Sequence, residues 1–432
     1  MNKLLAFLML PLCAFAARAG ELERLAVLGG SFSPRPPDSG VATPAPLQSA
    51  VSASCPKSRQ DDKPYYEITR GLIRGVSPVS GGHPPAFADD MDAASMQVAL
   101  RSSLAYWNRR PDGAQISVGG KAYNAAHLRK STARLLELFA GDDTAEKIGA
   151  AIKKEFDIFE SVADDGSNQV VITGYYQADI PVVRRRDAAH PHALYKRPPE
   201  LARSDDNPVD DGGLRPESSS SKYYTTEEIS NGALAGRNLE LAWSAHPAEI
   251  MLLQIQGSGF ARLADGSAIN IGYDGNNGQP FKSVQRILMD CGEIGSMSFS
   301  DFINYLTSLD NGRETRIVNL NPRYVFFKET ADAGAHGAID EDLTGGRSIA
   351  IDPAYVPLGL AGLLISQHPV ADGSGHITGF ESFTRFITTQ DTGSAIRGPG
   401  RVDLFWGAGK KAETEASAMK APGKLYLFVL KK

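Results

Sequence analysis

From Val170 onward the chain is written in short β-branched and aromatic runs broken by turn residues, a texture suited to a mainly β fold. Val170-Val171-Ile172 leads into Thr173-Gly174-Tyr175-Tyr176, and residues 252–255, 324–327, 348–351 and 425–430 read as further strands. The 43 glycines and 26 prolines among 432 residues supply the turns. Helical patterns interrupt the strands at 284–288 and 299–309, while the polar stretch 187–222 reads as a long loop or insertion.

The segment before Val170 is different. Met96, Leu100, Leu104 and Trp107 recur at helical spacing, as do Leu128, Leu135, Leu136 and Phe139, then Ile148, Ile152, Phe156 and Phe159. Asp143 with Glu146 resembles a capping box that would start the third helix. Further upstream, residues 20–57 are rich in Pro and Ser and read as a linker. Residues 1–19 read as a signal peptide: Lys3, an apolar stretch 4–17, then Ala17-Arg18-Ala19 as a cleavage site. The mature chain keeps Cys55 and Cys291, which can pair in an oxidising compartment.

A net charge of −5 gives no electrostatic case for nucleic acid, and the runs Arg109-Arg110 and Arg184-Arg185-Arg186 read as solvated faces. The eight histidines are scattered without metal-ligand spacing, so no metal and no cofactor is expected. Gly257-Ser258-Gly259 lacks the flanking residues of a nucleophile elbow or a dinucleotide loop. The segment from Gln390 to Gly407 stands out, because it joins Asp391 and Asp403 through a glycine-rich loop beside Phe405 and Trp406. Apolar neighbours raise a carboxyl's pKa and keep it protonated as an acid. Aspartates in glycine-rich loops also commonly satisfy turn amides, and spacing alone leaves both readings open. Asp391-Thr392-Gly393-Ser394 also spells an aspartic-protease signature. That chemistry needs a second aspartate, and Asp38-Ser39-Gly40 lies in the linker.

Several blocks occur together in order: Thr173 to Tyr176, Ile255 to Gly259, Asp265-Gly266-Ser267, Tyr273 to Gly278, Asn321-Pro322, Val325 to Lys328, Arg347 to Ala350 with Asp352, and Asp391 to Gly407. This set resembles the MltA family of membrane-bound lytic murein transglycosylases. The resemblance implies a double-psi β-barrel domain with a second, smaller β-barrel domain inserted, plus N-terminal helices. Residues 58–176 and 321–432 would build the first barrel, the latter as a 3D-type part, and 177–320 the inserted one.

The resemblance further implies that Asp403 is the catalytic acid and base, with Asp391 in support, and that Thr173, Gln256, Ser258 and Lys328 line a sugar groove. Ser394 departs from the family pattern, where a second glycine is common, and Leu12 is bulky before Cys13, which disfavours lipid anchoring. The implied reaction cuts the bond between N-acetylmuramic acid and N-acetylglucosamine. The C6 hydroxyl of the same muramic ring then closes a 1,6-anhydro product, so no positioned water is required. The implied partners are peptidoglycan glycan strands and other cell-wall enzymes. The chain would act as a monomer, exported to the periplasm and associated with the outer membrane. Two rivals remain: a muramidase using both carboxylates with water, and a non-catalytic peptidoglycan-binding protein.

Overall fold

A computed structural model describes residues 76–79, 85–163, 166–203, 214–216, 223–331 and 334–432. The expected signal peptide, the linker and Cys55 lie outside them. Cys291 is disulfide-bonded.

The N-terminal part runs β1 (Val76–Pro78), α1 (Ala93–Asn108), the hairpin β2 (Gln115–Val118) and β3 (Lys121–Asn124), α2 (Ala125–Phe139), α3 (Ala145–Glu155) and β4 (Phe156–Ser161). α1 and α2 bury the expected stripes through Met96, Leu100, Trp107, Leu128, Leu135 and Phe139. Asp92 and Asn124 cap them, each accepting a backbone N–H three residues on. The third stripe needs correction: Ile148 and Ile152 lie on α3, but Phe156 and Phe159 belong to β4. The capping box is also not formed. Thr144 occupies the N-cap without a side-chain bond to the helix backbone, and Asp143 pairs with Lys147 instead.

Two barrels follow. The chain continues through β5 (Val170–Pro181), β6 (His192–Tyr195), β7 (Leu201–Arg203), β8 (Leu214–Pro216), α4 (Thr226–Ser230), β9 (Glu240–Ser244), α5 (Pro247–Gln256), β10 (Gly259–Arg262) and β11 (Ala268–Asn276). Then come α6 (Val284–Asp290), α7 (Phe299–Thr307), α8 (Asn311–Val318), β12 (Val325–Glu329), β13 (Ser348–Ala350), β14 (Ala361–Ala371), β15 (Ile377–Asp391), β16 (Arg401–Ala408), α9 (Lys410–Ala418) and β17 (Lys420–Leu430). The order β17-β14-β15-β13-β16-β5 closes on itself through a β17–β5 pairing, giving a six-stranded barrel. Ile172, Ile349, Ile387, Val402, Leu404, Leu425 and Leu427 fill it.

The second barrel reuses the far half of β5, which pairs with β10, then β11 and β12. Isolated bridges Lys196–Phe327 and Val183–Trp243 bring in the β6–β9 pair and complete a ring. Two expectations change here. Residues 252–255 are helical, inside α5, which starts with Pro247 in its first turn and ends at Gly257 in the left-handed conformation (φ 81°). The polar stretch 187–222 holds three short strands.

The N-terminal helices are tied to the first barrel by Arg347, which opens the segment leading into β13. Its fully buried guanidinium donates to Asp89 (2.8 Å), to Ser95 Oγ (3.0 Å) and to the carbonyls of Asp92 (2.8 Å) and Phe386 (2.9 Å). Phe87, Phe139, Phe386 and Phe428 pack around this junction, with Phe139 meeting Phe386 edge-on at 4.9 Å. Burial raises the Asp89 pKa and the arginine pulls it partly back. Removing one partner of a buried pair strands the other charge, at about 3–5 kcal/mol. Arg347→Ala is therefore expected to lower the unfolding free energy obtained from urea denaturation by that much; an unchanged value would show that Asp89 finds another way to be satisfied.

Candidate active site

β5 and β16 run parallel, with Thr173 opposite Asp403 and Tyr175 opposite Phe405. Side chains alternate along a strand, so Ile172, Val402 and Leu404 enter the barrel core while Thr173, Tyr175, Arg401, Asp403 and Phe405 share the other face. β13 brings Ala350 opposite both Asp403 and Asp391. Two carboxylates twelve residues apart in sequence thus meet across one small strand. Tyr175, Ala335, Ala350, Ile396 and Phe405 form an apolar patch beneath them.

The two acids are held differently. Asp391 accepts on both oxygens: Oδ2 from the Tyr175 hydroxyl (2.7 Å) and Oδ1 from the Ala338 N–H (3.0 Å). Asp403 accepts on Oδ1 alone, from the Thr173 hydroxyl (2.6 Å). Its Oδ2 takes no hydrogen bond among the described residues. Arg401 donates to Thr173 Oγ1 (3.4 Å), so that hydroxyl passes a partial positive field to Asp403.

Burial pushes both carboxyls up to about 6. For Asp403 the Thr173 bond and the Arg401 charge pull back, while the Asp391 charge pushes further up. For Asp391 the opposing influence is the Tyr175 bond and the N–H groups of Thr392 and Ala338. Burial and the neighbouring carboxylates hold the Tyr175 hydroxyl well above its ordinary value, so it stays a neutral donor. A carboxyl with a pKa near 6 and one unoccupied oxygen can carry a proton at that oxygen and release it near neutrality.

The glycine-rich loop between the acids is pinned from below. Asp352, buried, accepts from Gly398 N–H (2.8 Å) and Ala354 N–H (3.1 Å). Gln390, also buried, donates to the Ala99 carbonyl (2.6 Å) and Ser103 Oγ (3.0 Å), tying the end of β15 to α1. Gly174 lies where α9 and Trp406 cross β5; a Cβ there would come within 2.6 Å of the Trp406 indole nitrogen.

Of the residues expected at the site, Asp403, Asp391 and Thr173 come together and are each half-buried. Gln256 sits next to them through the backbone, its Oε1 accepting from Tyr176 N–H (2.9 Å) at the C-terminus of α5. Ser258 is buried and its carbonyl accepts from Ala178 N–H (3.4 Å). Lys328 is exposed on β12, opposite Gly272 of β11, separated from β5 by two strands. Tyr175 and Arg401 were not singled out by sequence. Their signal was available in the period of two that places them beside Thr173 and Asp403.

A carboxyl with its pKa raised destabilises the fold when ionised. Because the folded value (about 6) exceeds the ordinary 3.8, that cost is absent below pH 4 and grows as pH rises through 6. Asp403→Asn is expected to raise stability at pH 7 by about 1–2 kcal/mol, allowing for partial solvent screening, and to change it little at pH 4. Thermal unfolding of the pair at both pH values checks this; equal midpoints at pH 7 would mean the carboxyl is not strained.

Comparison with known proteins places the fold. Residues 171–328 match the family model described as the MltA specific insert domain, and residues 347–429 match the 3D domain. The chain is similar to membrane-bound lytic murein transglycosylase A of Escherichia coli K12, 28% identical over 336 residues that cover 74% of this chain and 84% of the relative. Among solved structures it resembles a membrane-bound lytic murein transglycosylase from Agrobacterium tumefaciens (TM-score 0.65, 24% identity, 82% of this chain and 98% of that one). It also resembles E. coli MltA with bound chitohexaose (TM-score 0.62, 22% identity, 84% and 96%). These likenesses identify the fold as a double-psi barrel carrying a second, inserted barrel.

Proposed function

The chain belongs to the MltA family of lytic murein transglycosylases, and on that premise we propose that it cleaves peptidoglycan glycan strands with Asp403 as sole acid and base. The observation that carries the assignment is the asymmetry of the two carboxyls: Asp391 is occupied on both oxygens, and Asp403 keeps one open. Protonated Asp403 donates from Oδ2 to the oxygen linking N-acetylmuramic acid to N-acetylglucosamine. The bond breaks and an oxocarbenium-like charge builds on the muramic ring. The resulting carboxylate then takes the proton of the C6 hydroxyl, whose oxygen closes on C1 of the same ring. The product ends in 1,6-anhydromuramic acid, and Asp403 is returned protonated.

Asp391 supports this by its charge, which raises the Asp403 pKa. An attacking group already within the substrate removes the need for a second nucleophilic carboxylate. In this reading Thr173 tunes the acid. Gln256 holds β5 against α5 with its carbonyl, and Ser258 and Lys328 meet sugars on the inserted barrel. The relative solved with chitohexaose supports a glycan as ligand. We assign the described residues up to 176 and those from 330 onward to the first barrel and 177–329 to the insert, which runs past the expected boundary at 320 because β12 pairs with β11, and we place the enzyme in the periplasm at the outer membrane. No described helix is long and apolar enough to cross a membrane.

Mass spectrometry of fragments released from purified sacculi decides the reaction. Anhydromuramic ends are expected; reducing ends alone would favour the two-carboxylate muramidase, and no release would favour a binding protein. Asp403→Asn should abolish release, whereas Asp391→Asn should reduce it less, and equal loss would assign the chemistry to a coupled pair. Thr173→Val offers a finer test. The hydroxyl lowers the Asp403 pKa, so its removal is expected to move the alkaline limb of the pH–rate profile upward. A limb that stays in place would detach Thr173 from the titrating group.

A further inference from the structure

The inserted barrel holds a cavity of about 300 Å³ that shares no lining residue with the two acids. Trp243, Tyr195 and Tyr324 give it three aromatic walls, and Ile250 adds an aliphatic one. Its charge is one-sided. Arg186 is exposed at the rim with its guanidinium carbon 5.7 Å from the Trp243 ring centre, and among the described residues it forms no ion pair. Its run-mate Arg184 is paired with Glu329 at 3.1 Å. No described residue lining the cavity is acidic.

We infer that this cavity is a second binding site, which takes a short peptide by a free carboxylate, the kind of stem peptide that murein carries on its muramic acid. The inference rests on the murein reading above. A sugar presents many hydroxyl protons and needs acceptors, which carboxylate side chains usually supply. The described lining holds no carboxylate and offers instead an unpaired cation beside aromatic and aliphatic walls. That combination suits a ligand with acceptor oxygens and small apolar side chains. Aromatic rings suit the flat amides and methyl groups of such a peptide.

Calorimetric titration of the full chain with the free murein tetrapeptide, L-alanyl-γ-D-glutamyl-meso-diaminopimelyl-D-alanine, tests this without any glycan cleavage. Saturable binding is expected, weakened about tenfold or more when the peptide's carboxylates are amidated. Arg186→Gln should weaken binding of the free acid by a similar factor. Arg186 is exposed, so its variant is expected to fold normally, and thermal unfolding checks this. The absence of saturation, equal affinity for the amidated peptide, or tighter binding of the peptide-free disaccharide would overturn the inference. Because the titration reads no product, a failure here is separate from a failure to release anhydromuropeptides from sacculi.

Discussion

β5 is hydrogen-bonded into both barrels, and the placement of the acids follows from that sharing. Its first half, Val171–Tyr175, pairs with β16 in the first barrel, and Ala178–Pro181 pairs with β10 in the second. A strand paired along most of its length, and on both edges at Val171–Thr173, cannot slip by one residue without turning every core side chain outward. Register is therefore fixed by Ile172, Ala178 and Ile180, which are fully or almost fully buried. With those anchored, Thr173 has no choice but to face Asp403, and Tyr175 to face Asp391.

That rigidity explains how two similar carboxyls come to differ. Both suffer the same loss of solvent, and both titrate near 6. What separates them is occupancy. Asp391 ends β15, and its oxygens face a tyrosine hydroxyl and a backbone N–H, groups that can only donate or are held neutral by burial. Asp403 lies mid-strand on β16, where its neighbours' backbone groups are committed to β5 and β13. It therefore receives a single side-chain hydrogen bond. An acid that must pass a proton to a ligand needs that vacancy, and the strand's own hydrogen bonding creates it.

The sequence made some of this legible and hid the rest for physical reasons. The β-branched and aromatic runs at Val170 and Leu425, and the stripes of α1 and α2, are local patterns, and the structure keeps them as strands and helices. The stripe from Ile148 ran on into Phe156 and Phe159 because the spacing stays helical where the chain turns to strand. Tertiary pairing of β4 with β17 decided that boundary. Residues 252–255 looked like a strand because a short apolar run has no visible period. α5 is buried on nearly every side, so Ile250, Met251, Leu252 and Leu253 are all inside. At the site, the segment bearing Asp391 and Asp403 could be picked out, and the resemblance set their roles. The Tyr175–Asp391 and Arg401–Thr173 contacts could not be read, since they depend on register between strands more than two hundred residues apart.

The blocks that carry the family resemblance also divide by what they do. Arg347 anchors the helices, and Asp352 holds the loop before β16. Asn277 donates to the carbonyls of Tyr224 and Pro322 and accepts from Tyr324 N–H, stitching the inserted barrel shut. Gly259 lets β10 approach β5 so closely that a Cβ would come within 2.4 Å of the Ala178 carbonyl oxygen. None of these can meet a sugar's reacting atoms, yet each constrains β5 or its neighbours. Gln256 completes the chain of contacts: its side chain holds the N–H of Tyr176, next to the tyrosine that holds Asp391. A disturbance in the inserted barrel at α5 thus reaches the acids through one backbone amide and one hydroxyl. The motif set is better understood as the means of fixing one strand than as a roster of groups that touch substrate.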